Sequence, residues 1–182
     1  MRFEELSLEG AWRIVPDRHE DERGYFARTF SSDEFAAHGL DPTVAECSVS
    51  RNPQRLTLRG LHLQRAPHEE VKLIRCTSGT VFDVIVDLRE DSRTYLRWHA
   101  ETLSRENGVM LYVALGFAHG YLTLEDDSEL AYQISTPYAP ESAAGYRWDD
   151  PAFAIRWPDH PSVISARDAS YASLTVRTRR AR

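Results

Sequence analysis

The chain has 182 residues, of which 42% are hydrophobic, and a formal net charge of −6 at pH 7. This length can enclose one hydrophobic core, so we expect a single domain, and the acidic balance argues against a nucleic-acid partner, which usually requires a basic face. No apolar run is long enough to span a bilayer and residues 1–5 lack a signal-peptide profile, so we expect a cytoplasmic protein with no membrane partner.

Strands predominate among the predicted elements. The clearest helix is predicted over residues 31–39, where Ser31 can begin it and Gly39 can end it. Short runs of β-branched and aromatic residues predict strands at 73–76, 81–88, 109–113 and 130–134. Turn residues separate these runs at intervals typical of an antiparallel jelly roll. The fold class is therefore predicted as all-β with a few short helices.

Strand alternation assigns polar side chains to faces of the predicted sheets. Asp83 and Asp87 share one face of their strand, and Tyr132 points inward from its own. Alternation places Arg59 and His62 on opposite faces, although they are only three residues apart. A β-bulge at the intervening glycine, residue 60, or a strand end is needed to bring them together.

One potential base and several cations lie on neighbouring predicted strands. His62 is followed by Lys72 and, much later, by His119 within the run 116–120. A histidine can accept a proton near neutral pH, while lysine and arginine can hold the negative charge of an oxyanion or a phosphate. This combination favours proton abstraction next to a carbonyl, as in an isomerase of an anionic keto compound.

The cysteines and the C-terminus receive plain interpretations. Cys47 and Cys76 do not form a close metal-type pair, and we interpret both as buried thiols. Residues 176–182 form a basic tail, which we interpret as a solvated end without a function. Its cations are Arg177, Arg179, Arg180 and Arg182.

Six motifs occur in a fixed order and end with Trp157-Pro158. They are residues 21–26, 58–62, 81–89, 116–120, 138–141 and 145–151. Together they resemble the dTDP-4-dehydrorhamnose 3,5-epimerase family over residues 1–170. The resemblance implies a cupin-type jelly roll over residues 1–175 and a homodimer whose N-terminal segments reach into the partner's site. It also implies epimerisation, without a metal or other cofactor, at C3, C5 or both of a nucleotide-diphospho-4-keto-6-deoxyhexose.

The same resemblance implies catalytic roles by position. His62 would be the general base, and Asp168 would orient its ring. Tyr132 would be the acid that returns a proton from the opposite face. Lys72 would stabilise the enolate oxygen formed at C4.

Binding roles follow in the same way. Arg59 and His119, with Arg23 of the partner subunit, would hold the diphosphate, and Phe26 and Tyr138 would stack on the base or sugar. Asp83 would support Lys72 or Tyr132, or would only bridge to a neighbouring strand. The remaining histidines are interpreted as structural: His19, His38, His68, His99 and His160.

Several positions depart from the family's usual residues. Arg28 replaces a common glutamate, Glu46 and Ser48 replace a glutamine and an asparagine, and Ala143 occupies a position that often contacts the nucleotide. Buried hydrogen-bonding groups discriminate strongly between ligands, because a mismatch leaves them unpaired. We therefore expect nucleotide recognition to differ from the thymidine pattern or to be looser than it.

Two alternatives stay open. A metal-dependent cupin enzyme needs two histidines and a carboxylate that converge on the ion, whereas the position two after His62 is Gln64. A non-catalytic sugar-nucleotide-binding module requires the base or the acid to be missing, whereas both are present.

Overall fold

A computed structural model describes residues 1–174; the basic tail, for which no function is predicted, lies outside the described residues. The strands are β1 (Arg2–Glu5), β2 (Trp12–Val15), β3 (Arg18–Asp21), β4 (Gly24–Ala27), β5 (Glu46–Asn52), β6 (Thr57–Gln64), β7 (Lys72–Ser78), β8 (Thr80–Asp87), β9 (Trp98–Ser104), β10 (Met110–Val113), β11 (Phe117–Thr123), β12 (Ser128–Ile134), β13 (Ala143–Gly145) and β14 (Val163–Ile164). The helices are α1 (Ser32–Ala37) and α2 (Ala166–Ala169). None of the described helices is long and apolar enough to cross a membrane.

The strands form two facing six-membered sets. The first sheet has the order β1-β2-β10-β7-β12-β5, and the second has the order β13-β6-β11-β8-β9 with β14 beside β6. Pairing is antiparallel throughout except between β14 and β6. Strands β3 and β4 form a separate hairpin. The predicted all-β jelly roll with short helices is confirmed, and the predicted helix is α1, with Gly39 at φ +72 just beyond it.

Alternating side chains build apolar layers on both faces of the second sheet. Between the sheets, Ile85 of β8 packs with Ile74 of β7 and their neighbours. On the outer face of the second sheet, Val84 and Val86 lie beneath the segment that contains Phe153. The predicted parity of β8 is therefore observed: the valines face outward, while the carboxylate of Asp83 faces the interior between the sheets.

The predicted bulge lies at Gly60. In the pairing of β6 with β11, His62 lies opposite His119 and Arg59 lies opposite Tyr121. These two pairs are three positions apart along β6 but only two along β11, so β6 contains one extra residue. Gly60 has φ +134, and a Cβ there would lie 2.5 Å from the Cα of Gly120. Only glycine allows so close a crossing of two backbones. The extra residue turns both Arg59 and His62 toward the interior.

The two cysteines differ, and the interpretation of both as buried thiols is wrong for Cys47. Cys47 is exposed because it lies on β5, the edge strand of the first sheet. Cys76 is buried, and burial raises the pKa of its thiol to about 11.

Candidate active site

A cavity of ≈ 530 Å³ opens between the two sheets. The second sheet contributes Arg59, His62 and His119, and the first sheet contributes Lys72 and Tyr132. The packing of the two sheets thus brings together Arg59 and Tyr132, which lie 73 positions apart in the chain. Cations, an imidazole and a phenol face the same space.

His62 is held by a buried carboxylate. Its Nε2 lies 2.8 Å from Oδ1 of Asp168, whose side chain is 5% exposed whereas that of His62 is 41% exposed. The other oxygen, Oδ2, accepts the backbone N–H of Gly60 at 3.2 Å. Ser165 caps the short helix α2 by accepting the backbone N–H of Asp168 at 3.0 Å. The bulge and the helix cap therefore place one carboxylate behind one imidazole.

The charge of Asp168 is favoured by these partners. Burial acts to raise the pKa of Asp168, but the hydrogen bonds with His62 and the Gly60 N–H outweigh it and hold that pKa below its ordinary value. An ionised carboxylate that accepts a hydrogen bond from an imidazole fixes the ring and leaves its other nitrogen directed away from the carboxylate. This arrangement suits a general base.

A second histidine–aspartate pair lies deeper. Nε2 of His119 is 2.8 Å from Oδ2 of Asp83, and the side chains are 6% and 0% exposed. The Asp83 Oδ1 has no hydrogen-bond partner among the described residues. Asp83 therefore bridges to the neighbouring strand β11, which was one of the expected alternatives. Asp83 is fully buried and does not line the cavity, so any role in substrate binding that it has would act through His119 and stays a prediction.

Lys72 lies in the interior of the first sheet, on β7 between β10 and β12. Its Nζ is 2.8 Å from Oε1 of Glu70, and each side chain is 11% exposed. Both residues line the cavity. Burying an ammonium is costly unless it is paired, and Glu70 supplies that partner.

Tyr132 faces the cavity from β12, opposite the strand that carries His62. Burial, followed by the proximity of Tyr121 and Asp83, raises the pKa of Tyr132 well above its ordinary value. The phenol therefore keeps its proton at neutral pH, which suits a proton donor.

A polar network that the sequence patterns did not predict lies beneath Tyr132. The hydroxyl of Tyr121 lies 2.8 Å from Oγ of Ser50 and accepts Nδ2–H of Asn52 at 3.1 Å. Oδ1 of Asn52 in turn accepts Nε–H of Arg59 at 2.9 Å. Strand alternation could have identified Tyr121, since it lies two residues after His119 on β11.

Two residues near Asp168 were also missed. Arg167 lines the cavity. The ring of Tyr171 meets that of His62 edge to face, with centroids 6.0 Å apart. It also covers Gly145, the β-sheet partner of His62, where a Cβ would overlap the ring. Their proximity in sequence to Asp168 was the available signal.

Two predicted binding residues lie away from this cavity. Arg23 and Phe26 belong to the exposed β3–β4 hairpin, and Phe26 lines a separate depression with His19 and Arg28. The Phe26 side chain is 71% exposed. Tyr138, in contrast, lines the cavity as expected.

The positions that depart from the family's usual residues also divide between the cavity and the surface outside it. Glu46, Ser48 and Ala143 line the cavity. Arg28 is exposed and pairs with Glu34 at 3.4 Å. The first three are therefore placed to influence ligand choice within one chain.

The donors needed for a metal do not converge in the part of the chain that the structure describes. No group of three or more His, Cys, Asp or Glu side chains there could hold an ion. Gln64 donates to the carbonyls of His68 and Pro137 and accepts the N–H of Ala139, so its amide is committed to the loops. The expectation of a metal-free site stays a prediction.

Comparisons with known proteins agree on one family. The sequence model described as dTDP-4-dehydrorhamnose 3,5-epimerase matches residues 5–175. The enzyme of that name from Sinorhizobium fredii is 42% identical over 175 residues, covering 96% of this chain and 90% of the relative. A dTDP-4-dehydrorhamnose 3-epimerase from Streptomyces niveus is 36% identical over 169 residues, covering 92% and 81%.

Solved structures agree in fold over nearly the whole chain. An epimerase from Mycobacterium tuberculosis superimposes with a TM-score of 0.91 at 38% identity, covering 95% of this chain and 88% of that one. A 3,5-epimerase from Legionella pneumophila, solved in complex with dTDP-4-keto-L-rhamnose, superimposes with a TM-score of 0.88 at 33% identity, covering 93% and 90%. With its cavity and its jelly roll, this chain is an isomerase that belongs to the dTDP-4-dehydrorhamnose 3,5-epimerase family.

Proposed function

We propose that the protein inverts C3, C5 or both of a nucleotide-diphospho-4-keto-6-deoxyhexose through an enolate. The observation that carries this proposal is the placement of His62 and Tyr132 on opposite sheets, facing one cavity. A base on one side of a sugar ring and an acid on the other can remove a proton from one face and return one to the other. That sequence inverts the carbon.

The ketone explains why these carbons react. C3 and C5 both flank the C4 carbonyl, so loss of either proton places negative charge on the C4 oxygen. Lys72, with its buried ammonium, is the cation proposed to stabilise that charge. Asp168 holds His62 in orientation while the imidazole accepts the proton.

Arg59 and His119 are proposed to bind the diphosphate, because both present donors to the cavity. Tyr138 is proposed to stack on the base or sugar. The exposed hairpin supports a homodimer in which Arg23 and Phe26 complete the partner's site. A cytoplasmic location stays a prediction.

Deuterium incorporation tests the proposed reaction. The enzyme would be incubated in deuterated water with a dTDP-4-keto-6-deoxyhexose, and NMR would report label and configuration at C3 and C5. Label at both carbons with inversion indicates a 3,5-epimerase. Label and inversion at C3 alone indicate the activity named for the Streptomyces niveus relative. Absence of label at both carbons with the thymidine, uridine, cytidine and guanosine diphosphate forms of this sugar would refute the proposal.

Nucleotide preference is proposed to differ from thymidine recognition, because Glu46, Ser48 and Ala143 line the cavity and alter its donors and acceptors. Diphosphate affinity should persist, since Arg59 and Lys72 recognise charge. Calorimetric titration with thymidine, uridine, cytidine and guanosine diphosphates compares the four bases. A clear preference for the thymidine ligand would contradict the proposal and restore the usual specificity.

A further inference from the structure

Two phenols lie side by side in the wall of the cavity. Tyr121 of β11 and Tyr132 of β12 both line it, and their rings lie 6.2 Å and 6.0 Å from that of His119. Tyr121 is 2% exposed, and it lies close enough to Tyr132 for each phenol to influence the pKa of the other. The interior therefore holds a second phenol directly behind the proposed acid.

The Tyr121 hydroxyl continues toward the edge of the first sheet. It lies 2.8 Å from Oγ of Ser50, a partly exposed residue of the edge strand β5. Asn52 fixes its position by donating to it at 3.1 Å, and Arg59 in turn fixes Asn52. The hydroxyls of Ser50, Tyr121 and Tyr132 thus form a row from the accessible edge to the interior.

We propose that Tyr121 is a positioning and relay residue that stabilises Tyr132 after proton donation and returns a proton to it from Ser50. The inference rests on the proposed role of Tyr132 as the acid. It adds a reason for the buried Tyr121–Asn52–Ser50 network, which the reaction scheme otherwise leaves unused.

The proton balance requires such a path. In one inversion His62 gains the proton taken from the substrate, and Tyr132 loses the proton given to the carbon. The phenolate left on Tyr132 takes a proton from the Tyr121 hydroxyl, Tyr121 takes one from Ser50, and Ser50 takes one from water. His62 releases its proton to solvent. The enzyme is then restored with no net gain or loss of protons.

The relay is expected to stabilise the negative charge that develops on Tyr132. A phenolate in a buried wall is costly unless a donor faces it. Burial is the main cause that raises the pKa of Tyr132, so without a donor facing its oxygen Tyr132 is a weak acid. Donation from Tyr121 to the developing phenolate lowers the barrier for protonating the enolate, while the removal of the substrate proton by His62 does not use this path.

The test is the variant Tyr121→Phe, which keeps the ring and removes one oxygen. Both carbon-bound deuterium uptake and inversion would be measured by NMR in deuterated water. We expect inversion to slow about tenfold to a hundredfold, within the range that general acid catalysis supplies, while total uptake changes little. The ratio of uptake to inversion should therefore rise about tenfold to a hundredfold, because the enolate formed returns to the original configuration through His62.

A matched control separates the relay from loss of a buried hydroxyl in general. Tyr112 is also buried, at 4% exposure, and its hydroxyl accepts the N–H of Asp41 within a different apolar cluster. Tyr112→Phe should leave the uptake-to-inversion ratio unchanged. Ser50→Ala, which interrupts the row at its outer end, should raise the ratio in the same direction as Tyr121→Phe.

The outcomes are distinct. An unchanged ratio in Tyr121→Phe, with a raised ratio in Tyr132→Phe, would refute the relay and leave the proposed function in place. Unchanged ratios in both variants would refute the acid role of Tyr132 and the relay with it. Equal loss of uptake and inversion in Tyr121→Phe, together with weaker nucleotide binding, would assign Tyr121 a purely structural role and also refute the relay.

Discussion

The two histidine–aspartate pairs have the same hydrogen-bond distance but different surroundings. In each, an imidazole Nε2 lies 2.8 Å from a carboxylate oxygen. The imidazole of the outer pair, His62–Asp168, is 41% exposed and faces the cavity, whereas the His119–Asp83 pair is almost wholly buried. Asp168 also receives the N–H of Gly60, while Oδ1 of Asp83 has no hydrogen-bond partner within residues 1–174.

These surroundings shift the two carboxylates in opposite directions. Burial opposes ionisation of both, but hydrogen bonds lower the pKa of Asp168, whereas burial prevails and raises the pKa of Asp83. The deeper burial of Asp83 outweighs its histidine partner, whereas at Asp168 the histidine and the additional donors outweigh burial. The outer pair is therefore suited to proton transfer, and the inner pair is suited to positioning a donor for the substrate.

The largest difference in activity between the two pairs is expected when their histidines are replaced. His62→Ala should abolish exchange of the substrate's α-protons with deuterated water, a loss of about 10³-fold, because no other base replaces it. His119→Ala should retain exchange and weaken diphosphate binding about tenfold, because it removes one hydrogen bond to a charged group. NMR measures exchange and calorimetry measures binding.

The surface variant His160→Ala is the control, since His160 is exposed on a loop. Unchanged deuterium uptake in His62→Ala would remove His62 from the mechanism. Complete loss of exchange in both His62→Ala and His119→Ala would remove the functional distinction between the pairs.

The next largest difference, in kcat, is expected when the carboxylates of the two pairs are replaced. Asp168→Asn should lower kcat about a hundredfold, because the amide no longer provides the charge that favours a protonated His62. Asp83→Asn should lower kcat less than about tenfold, because an amide can still pair with the buried ring. Steady-state kinetics decide between these values, and equal losses would contradict the assignment of separate roles.

The pH dependence of stability should have opposite signs for the two carboxylates. The folded-state pKa of Asp168 lies below the ordinary 3.8, so its stabilisation is present above that pH and is lost as the pH falls below it. The folded-state pKa of Asp83 lies above 3.8, so the free energy of unfolding decreases as the pH rises from 3.8 through that higher value.

Urea unfolding of the wild type, Asp168→Asn and Asp83→Asn between about pH 3 and pH 7 tests these signs. In Asp168→Asn, the free energy of unfolding should fall less steeply as the pH drops below 3.8 than it does in the wild type. In Asp83→Asn, the decrease in the free energy of unfolding as the pH rises above 3.8 should disappear. The same pH profile in both variants would show that the environments of the pairs do not differ as described.

Chelation should have the smallest effect, because the prediction is full activity. If His62 and Asp168 act as base and partner, exhaustive treatment with a chelator leaves exchange and inversion unchanged. Activity that is lost on treatment and restored by a divalent metal would instead make the outer pair part of a metal centre.

Much of the fold and part of the site followed from local patterns. Alternation in residues 81–87 correctly placed Asp83 on the face opposite to Val84 and Val86, because a strand places successive side chains on opposite faces. Of the two predicted ways to bring Arg59 and His62 together, a bulge at Gly60 or a strand end, the bulge is observed. Resemblance over six motifs identified the family, which the comparisons confirm.

Other features depended on contacts between distant segments. The partner of Asp83 proved to be His119, since only the pairing of β8 with β11 brings these side chains together. Cys47 was placed wrongly because its exposure depends on which strand forms the sheet edge.

The sequence by itself determined the strand pattern, the family and the kinds of side chain available for catalysis. The tertiary structure alone decided which carboxylate is surrounded by donors, which is deprived of them, and which phenol lies behind Tyr132. The physical reason is that burial and hydrogen bonding are set by every segment that meets at a point, whereas a sequence motif records only its own neighbours along the chain.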